Sequence, residues 1–181
     1  MRTIVTPPAL SPVALAEIKD WLGVTTTRDD TALLRLLEAA LESCEAFTGS
    51  IPLACTCEET FRPGRDWTVL ASRPVQSITG LWTLSVSGAR TALALASYAI
   101  DLDADGRGLV RVTDSTATSR CVVRFTAGIA ASWDDLPDGL RHGVLRLAAE
   151  QYQIREPASQ FTVPSAAIAA LWRPWRRARL A

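Results

Sequence analysis

The sequence has little with which to bind a metal ion. It contains a single histidine, His142, and four cysteines, of which only Cys55 and Cys57 are close together. A structural zinc site needs four ligands, and this C-x-C pair supplies only two. The other ligands would have to come from residues scattered along the chain. We therefore expect four buried thiols in a reducing compartment and no metal or other cofactor.

Long hydrophobic runs are also missing. No stretch approaches the roughly 18 apolar residues of a membrane span, and "MRTIVTPPALSP" lacks the apolar centre of a signal peptide. The 181 residues are 48% hydrophobic and 21% charged, which is typical of a soluble, cytoplasmic domain with a proper core. The formal net charge is zero, which argues against wholesale nucleic-acid binding.

Catalytic signatures are absent as well. The chain contains no G-x-S-x-G elbow, no P-loop and no G-x-G-x-x-G. His142 lies beside Arg141 in a predicted helix, where we expect a hydrogen-bonded or exposed histidine and not a general base. The pairs Asp134–Asp135 and Glu58–Glu59 are expected at a helix start and on a strand surface. We predict that the protein is not an enzyme.

Two helices are predicted near the start of the chain. "SPVALAEIKDWLG" has Ser11 as N-cap, Pro12 in the first turn and Gly23 as a stop signal. "DDTALLRLLEAALESCEAFTG" is amphipathic and ends at Gly49. Its polar face carries Arg35, Glu38, Glu42 and Glu45.

A β-rich region follows and a third helix returns after it. "SITGLWTLSV", "SYAIDL", "GLVRV" and "RCVVRFTAG" predict strands of an antiparallel meander of five or six. "LPDGLRHGVLRLAAEQYQIREP" predicts the third helix, which Pro157 stops. The expected core residues are Trp21, Leu37, Leu41, Leu147 and Ile154.

These elements predict an α+β fold, with a mainly helical core and an inserted small antiparallel β-sheet domain. We expect the helical pair in residues 1–53, the β-domain in residues 54–128, the third helix in residues 129–157 and a C-terminal docking tail in residues 158–181.

The order of elements resembles the head-to-tail connector proteins of long-tailed phages, also called adaptor or head-completion proteins, including those of gene transfer agents. Three stretches carry the resemblance: "LAEIKDWLGV…RDDTALLRLLEAALESCEAFTG", "VVRFTAG" leading to "LPDGLRHGVLRLAAEQYQIRE", and "VPSAAIAALWRPWR". They cover nearly the whole chain. Their motifs are mostly apolar patterns around a few fixed polar residues.

The resemblance implies a structural virion protein without catalytic residues. Such proteins form rings of about twelve copies that dock on the portal after DNA packaging and connect the capsid to the stopper or tail. DNA passes through the lumen without specific binding. The implied location is the head-tail junction of a virion assembled in the bacterial cytoplasm, with no membrane partner.

The C-terminal "LWRPWRRARLA" is rich in tryptophan and arginine. Ile168, Leu171, Trp172 and Trp175 recur at the spacing of a helix that lies in a partner's groove. We expect the segment from Pro164 to Arg179 to leave the domain and dock on the portal or a neighbouring subunit. There it would present Arg173, Arg176, Arg177 and Arg179 to acidic residues. The alternatives are a solvated basic terminus or a membrane-surface anchor.

The acidic face of the second helix is open to two interpretations. It is either a solvated surface, or a lumen or subunit-interface stripe in which Glu38, Glu42 and Glu45 repel DNA or meet arginines of the next subunit.

"DLDADGRGLVRV" begins like a calcium loop, but Val112 occupies the position of the bidentate glutamate. The flanking segments are typical of strands, so a hairpin turn is predicted.

Two other functions compete with the adaptor. One is a sequence-nonspecific DNA-binding module, in which the two helices around "GVTTTR" would mimic a helix-turn-helix and the basic tail would follow phosphates. The other is a different head-tail joining component, such as a stopper.

Overall fold

The computed structural model describes residues 1–113, 120–154 and 164–176. The chain forms two compact units, a sheet unit of residues 1–8 and 54–128 and a helical unit of residues 9–53 and 129–181. Residues 1–8, which were expected with the helical pair, belong to the sheet unit. The reason is that strand β1 (Arg2–Thr6) pairs antiparallel with strand β2 (Cys55–Phe61).

The helical unit consists of the three predicted helices and a short fourth one. They are α1 (Pro12–Leu22), α2 (Asp30–Thr48), α3 (Asp138–Ile154) and α4 (Ala166–Trp172). Gly23 and Gly49 follow α1 and α2 with φ values of 68° and 74°. These are left-handed conformations that glycine adopts without strain, so both helices end where the sequence predicts.

The core of this unit is apolar and lies among all four helices. Leu37, Leu41 and Leu147 are buried in it, as predicted. Trp21 and Ile154 are not, since they are 51% and 63% exposed. Trp21 lies in the last turn of α1, where its ring packs at an interplanar angle of 73° against that of the exposed His142, with 5.2 Å between the centroids. Ile154 is the final residue of α3, beyond its buried stretch.

The sheet unit has more strands than the sequence indicates, and they form two antiparallel sheets. After β1 and β2 come β3 (Thr68–Val69), β4 (Val75–Leu84), β5 (Arg90–Ala92), β6 (Tyr98–Leu102), β7 (Gly108–Val112) and β8 (Arg120–Ala127). The orders are β1-β2-β8-β4-β5 and β3-β7-β6. The predicted single meander is wrong, because β8 lies between β2 and β4 and its partners are distant along the chain.

The alternating residues of strand β8 show that the two faces of the five-stranded sheet differ. Cys121, Val123, Phe125 and Ala127 alternate along it and are buried. Because successive side chains point to opposite faces, Arg120 and Arg124 lie on the other face and reach solvent.

Candidate functional site

The described part of the C-terminal segment packs on its own helical unit. Ile168 and Trp172 are fully buried in the core formed with α2 and α3. The Trp172 indole nitrogen donates a hydrogen bond to the carbonyl oxygen of Leu140 at 3.3 Å. Its ring lies 5.9 Å from that of Phe47, centroid to centroid. The prediction that this segment leaves the domain is wrong for residues 164–176, because its apolar anchors are used inside the chain.

Two glycines of α3 make room for the tryptophans. Gly139 and Gly143 are four residues apart and therefore share one helix face. A Cβ atom at Gly139 would stand 2.9 Å from carbons of the Trp175 ring, and one at Gly143 would overlap the Trp172 indole. The signal in the sequence was the G-x-x-x-G spacing in "DGLRHG", which the periodicity of apolar residues does not register.

The remaining predicted docking residues lie nearer the surface. Leu171 and Trp175 are half-buried, and Arg173 and Arg176 are exposed. The Arg176 guanidinium lies over the Phe47 ring, 5.2 Å from its centroid. Arg177 and Arg179 lie outside the described residues. The segment thus presents cationic groups, while its apolar side faces inward.

The predicted acidic stripe lies on the outer face of α2. Glu38 and Glu42 are exposed and Glu45 is half-buried, whereas Leu37 and Leu41 face the core. The spacing of these glutamates places them on one side of the helix. Glu38 and Glu42 therefore face solvent.

A charged cleft of about 600 Å³ opens in the helical unit beside Leu171. Glu17 makes two contacts there. It accepts a hydrogen bond from the Trp133 indole nitrogen at 3.0 Å, and its carboxylate lies 3.7 Å from the Arg141 guanidinium. Arg141 also pairs with Asp138 at 2.9 Å. The described residues that line the cleft include no serine, threonine, cysteine or lysine that could act as a nucleophile.

The cysteines are buried thiols, as expected. Burial raises the pKa of Cys44 to about 12 and also raises that of Cys121, which keeps both in the unreactive protonated form. Within residues 1–113, 120–154 and 164–176, no group of three potential ligands could hold a metal ion. No helix in this part of the chain is long and apolar enough to cross a membrane.

The calcium-like stretch forms the predicted hairpin turn between β6 and β7. One Asp103 carboxylate oxygen accepts hydrogen bonds from the backbone N–H groups of Asp105 and Arg107. The other oxygen accepts a hydrogen bond from the Arg107 Nε at 2.6 Å. These bonds, above all the one from the Arg107 backbone, lower the pKa of Asp103. The carboxylate is thereby occupied by the turn itself.

A cluster that the sequence patterns did not reveal lies on the outer face of the five-stranded sheet. Glu58, expected on a strand surface, has a side chain only 8% exposed. Its carboxylate accepts two hydrogen bonds from Arg90, both 2.9 Å long, and two from Arg124, at 3.0 and 2.7 Å. The hydrogen bond from Arg90, followed by that from Arg124, lowers the pKa of Glu58.

The strand register explains why these residues meet. Arg124 stands opposite both Glu58 on β2 and Gly80 on β4. The Trp82 ring folds back over Gly80, where a Cβ would lie 2.8 Å from it, and Arg124 lies 5.2 Å from the centre of that ring. The result is a sheet face whose arginines are held in place by one buried carboxylate.

The neighbouring Glu59 was also expected on a strand surface and is likewise buried. It faces the other side of the sheet. Its carboxylate accepts the backbone N–H groups of Ala71 and Ser72 at 2.9 Å and the Ser72 hydroxyl at 2.7 Å. This glutamate therefore fixes a loop.

Solved structures similar to the chain come from gene transfer agent (GTA) particles. The neck of an empty GTA particle, computed with C6 symmetry, contains a chain 28% identical, with a TM-score of 0.75. The neck of a native particle, computed with C12 symmetry, contains one 29% identical with a TM-score of 0.75. A chain in the virion of a native particle is 28% identical, with a TM-score of 0.74.

Each of these matches covers 100% of this chain and 97% of the other. No family model matches the sequence, and no curated protein does. The predicted α+β fold class is confirmed by the elements observed and by this full-length similarity.

Proposed function

Because the chain is a member of the head-to-tail connector family that its sequence resembles, we propose that it is a ring-forming adaptor. It docks on the portal after DNA packaging and joins the capsid to the stopper or tail. DNA passes through its lumen without specific binding. In this role the protein is a structural component of the particle and catalyses no reaction.

The observation that carries the proposal is the full-length match to a neck chain in a structure computed with C12 symmetry. A fold shared along its whole length supports a shared place in the particle, and twelvefold symmetry supports a ring of about twelve copies. A closed ring of identical subunits uses two different surfaces of each subunit.

The arginine-rich end of the chain is the docking surface in this proposal. Arg173 and Arg176 are exposed, and their backbone is held by the buried Ile168 and Trp172. A charged group on an ordered backbone loses less conformational entropy on binding. Arg177 and Arg179 follow in the sequence, outside the described residues, while Leu171 and Trp175 offer half-buried apolar contact beside the exposed arginines.

Docking is tested with the charge-reversed variant Arg173→Glu/Arg176→Glu. We expect the variant to co-sediment with portal-bearing capsids of the same element only at a protein concentration at least about tenfold higher than the wild type needs. The reason is that like charges placed across an interface cost several kcal/mol. Electron microscopy then counts the capsids that carry a ring.

The matched control is Arg28→Glu, which reverses an exposed charge in the loop before α2 and should leave docking unchanged. Equal docking by the double variant and the wild type would contradict the assigned docking surface. A wild type that adds no ring to portal-bearing capsids would contradict the adaptor function itself.

A further inference from the structure

The outer face of the five-stranded sheet carries a basic patch that the adaptor fold alone does not explain. Arg90 and Arg120 both stand opposite Leu84, on either side of it. Arg124 lies four residues along β8 from Arg120 and therefore on the same face. Their side chains reach solvent, with 44% exposure for Arg90 and 39% for Arg124.

The patch keeps positive charge after its internal pairing is counted. Glu58 is the one carboxylate that contacts these arginines within the described residues, and it is shared by Arg90 and Arg124. Arg120 has no side-chain ion pair in the part of the chain that the structure describes. An exposed, fixed cationic surface of this kind fits an acidic partner.

The same chain carries a matching acidic surface. Glu38, Glu42 and Glu45 form one row on α2, and 1.5 Å of rise per residue makes this row about 10 Å long. Arg120 and Arg124 are about 13 Å apart along their strand, at about 3.3 Å per residue. Glu38 and Glu42 have no ion pair with any described residue. The two surfaces are thus opposite in charge and similar in length.

We propose that the arginine face of the sheet, formed by Arg90, Arg120 and Arg124, binds the acidic α2 row of a second copy of this chain. The proposal rests on the ring-forming function proposed above, and it names the two surfaces that a head-to-tail ring requires. A second copy fits this face better than nucleic acid does. The chain has no net charge, a carboxylate lies at the centre of the patch, and the complementary row is present on every copy.

The test uses two full-length variants that reverse one surface each. Arg120→Glu changes the sheet face at an exposed residue that does not hold Glu58, and Glu38→Arg/Glu42→Arg changes the α2 row. Each variant alone places like charges across every contact. We expect each variant to form rings on portal-bearing capsids only at a protein concentration at least about tenfold higher than the wild type needs.

An equimolar mixture of the two variants should need less protein to form rings than either variant alone, although Arg90 and Arg124 still face the introduced arginines at every second contact. In a ring where the variants alternate, the glutamate introduced on the sheet face of one copy meets the arginines introduced on α2 of the next. At the following contact the unchanged Arg120 meets the unchanged Glu38 and Glu42. Thermal unfolding of each variant, measured separately, verifies that the fold is intact. The milder variant Arg120→Gln should weaken ring formation in the same direction.

The control pair is Arg65→Glu and Asp20→Arg, which reverse exposed charges elsewhere on the sheet and helical units. Alone or mixed, these proteins should form rings as the wild type does. Wild-type ring formation by both surface variants would overturn the proposal and leave the adaptor function standing. Folded variants that fail alone and also fail when mixed would overturn the pairing of these two surfaces.

Two results with the wild-type chain would also overturn this contact. If the wild type forms no ring on capsids, the adaptor function fails and the contact between copies fails with it. If the wild type binds duplex DNA at low salt and Arg120→Glu abolishes that binding while rings still form, the sheet face is a nucleic-acid surface.

Discussion

Replacing Trp172 by alanine will lower the free energy of unfolding of the helical unit by about 3–5 kcal/mol, the usual cost of emptying a buried aromatic site. Trp172 is fully buried, and its ring contacts α2 through Phe47 and α3 through Gly143. The substitution also leaves the Leu140 carbonyl without its indole donor. Urea unfolding followed by far-ultraviolet circular dichroism measures the loss.

The matched control is Trp21→Ala, the same change at a side chain that is 51% exposed. It should cost less than about 1 kcal/mol, as surface substitutions generally do. Equal costs at Trp21 and Trp172 would contradict the assignment of α4 to the core.

Gly143→Ala tests the same contact from the opposite side. Alanine in place of glycine stabilises a helix by about 1 kcal/mol, but here the new methyl group would overlap the Trp172 indole. Overpacking of a core costs about 1–3 kcal/mol, so the net effect should be destabilising. A stabilised variant would show that the indole has room to move.

The buried anchors change how the C-terminal segment must be studied. A segment that left the domain could be deleted after Val163 without harm to the fold. The deletion in fact removes Ile168 and Trp172 from the core, so the loss of docking by such a protein would report on folding. Substitution of the exposed Arg173 and Arg176 avoids the difficulty, because these side chains contribute little to the core.

The helices could be predicted because each carries its own signals. Apolar residues repeat with the helical period in α2 and α3, and Gly23 and Gly49 end α1 and α2. The same periodicity suggested that Ile168, Leu171, Trp172 and Trp175 bind a partner. A pattern of this kind identifies an apolar face, but it does not say whether the face is covered by another protein or by the same chain.

The sheet could be predicted only as a set of strands. Its order depends on contacts such as Cys55 with Ala127 and Leu84 with Arg120, which join residues far apart in sequence. The cluster of Glu58, Arg90 and Arg124 was hidden for this reason, since three strands contribute one residue each. Local signals at Glu58 indicated an exposed strand position, and the arginines of other strands override them.

Replacing Glu58 by glutamine will lower the free energy of unfolding of the sheet unit by about 1.5–3 kcal/mol at pH 7, the range for hydrogen bonds to charged groups. The larger cost of breaking a fully buried ion pair does not apply, because Arg90 and Arg124 are 44% and 39% exposed and solvent screens them. Urea unfolding, with hydrogen exchange of the β2 amides to localise the effect, measures the change.

The stabilisation that Glu58 provides should depend on pH. Hydrogen bonds from the arginines lower the pKa of Glu58 in the folded chain, so between the folded and unfolded pKa values the unfolded chain binds more protons. The stabilisation is therefore fully present above the unfolded pKa of about 4.3 and is lost as the pH falls through the folded pKa. The difference between wild type and Glu58→Gln should shrink accordingly.

The matched control for Glu58 is Glu150→Gln on α3. Glu150 pairs with Arg146 at 3.3 Å, and both side chains are more than a third exposed. Its loss should be at most about 1 kcal/mol, as for other surface ion pairs. If the cost at Glu58 were the same at pH 7 and at acid pH, packing rather than the charged carboxylate would hold the arginines. The basic face would then lack the fixed geometry on which its contact with a second copy depends.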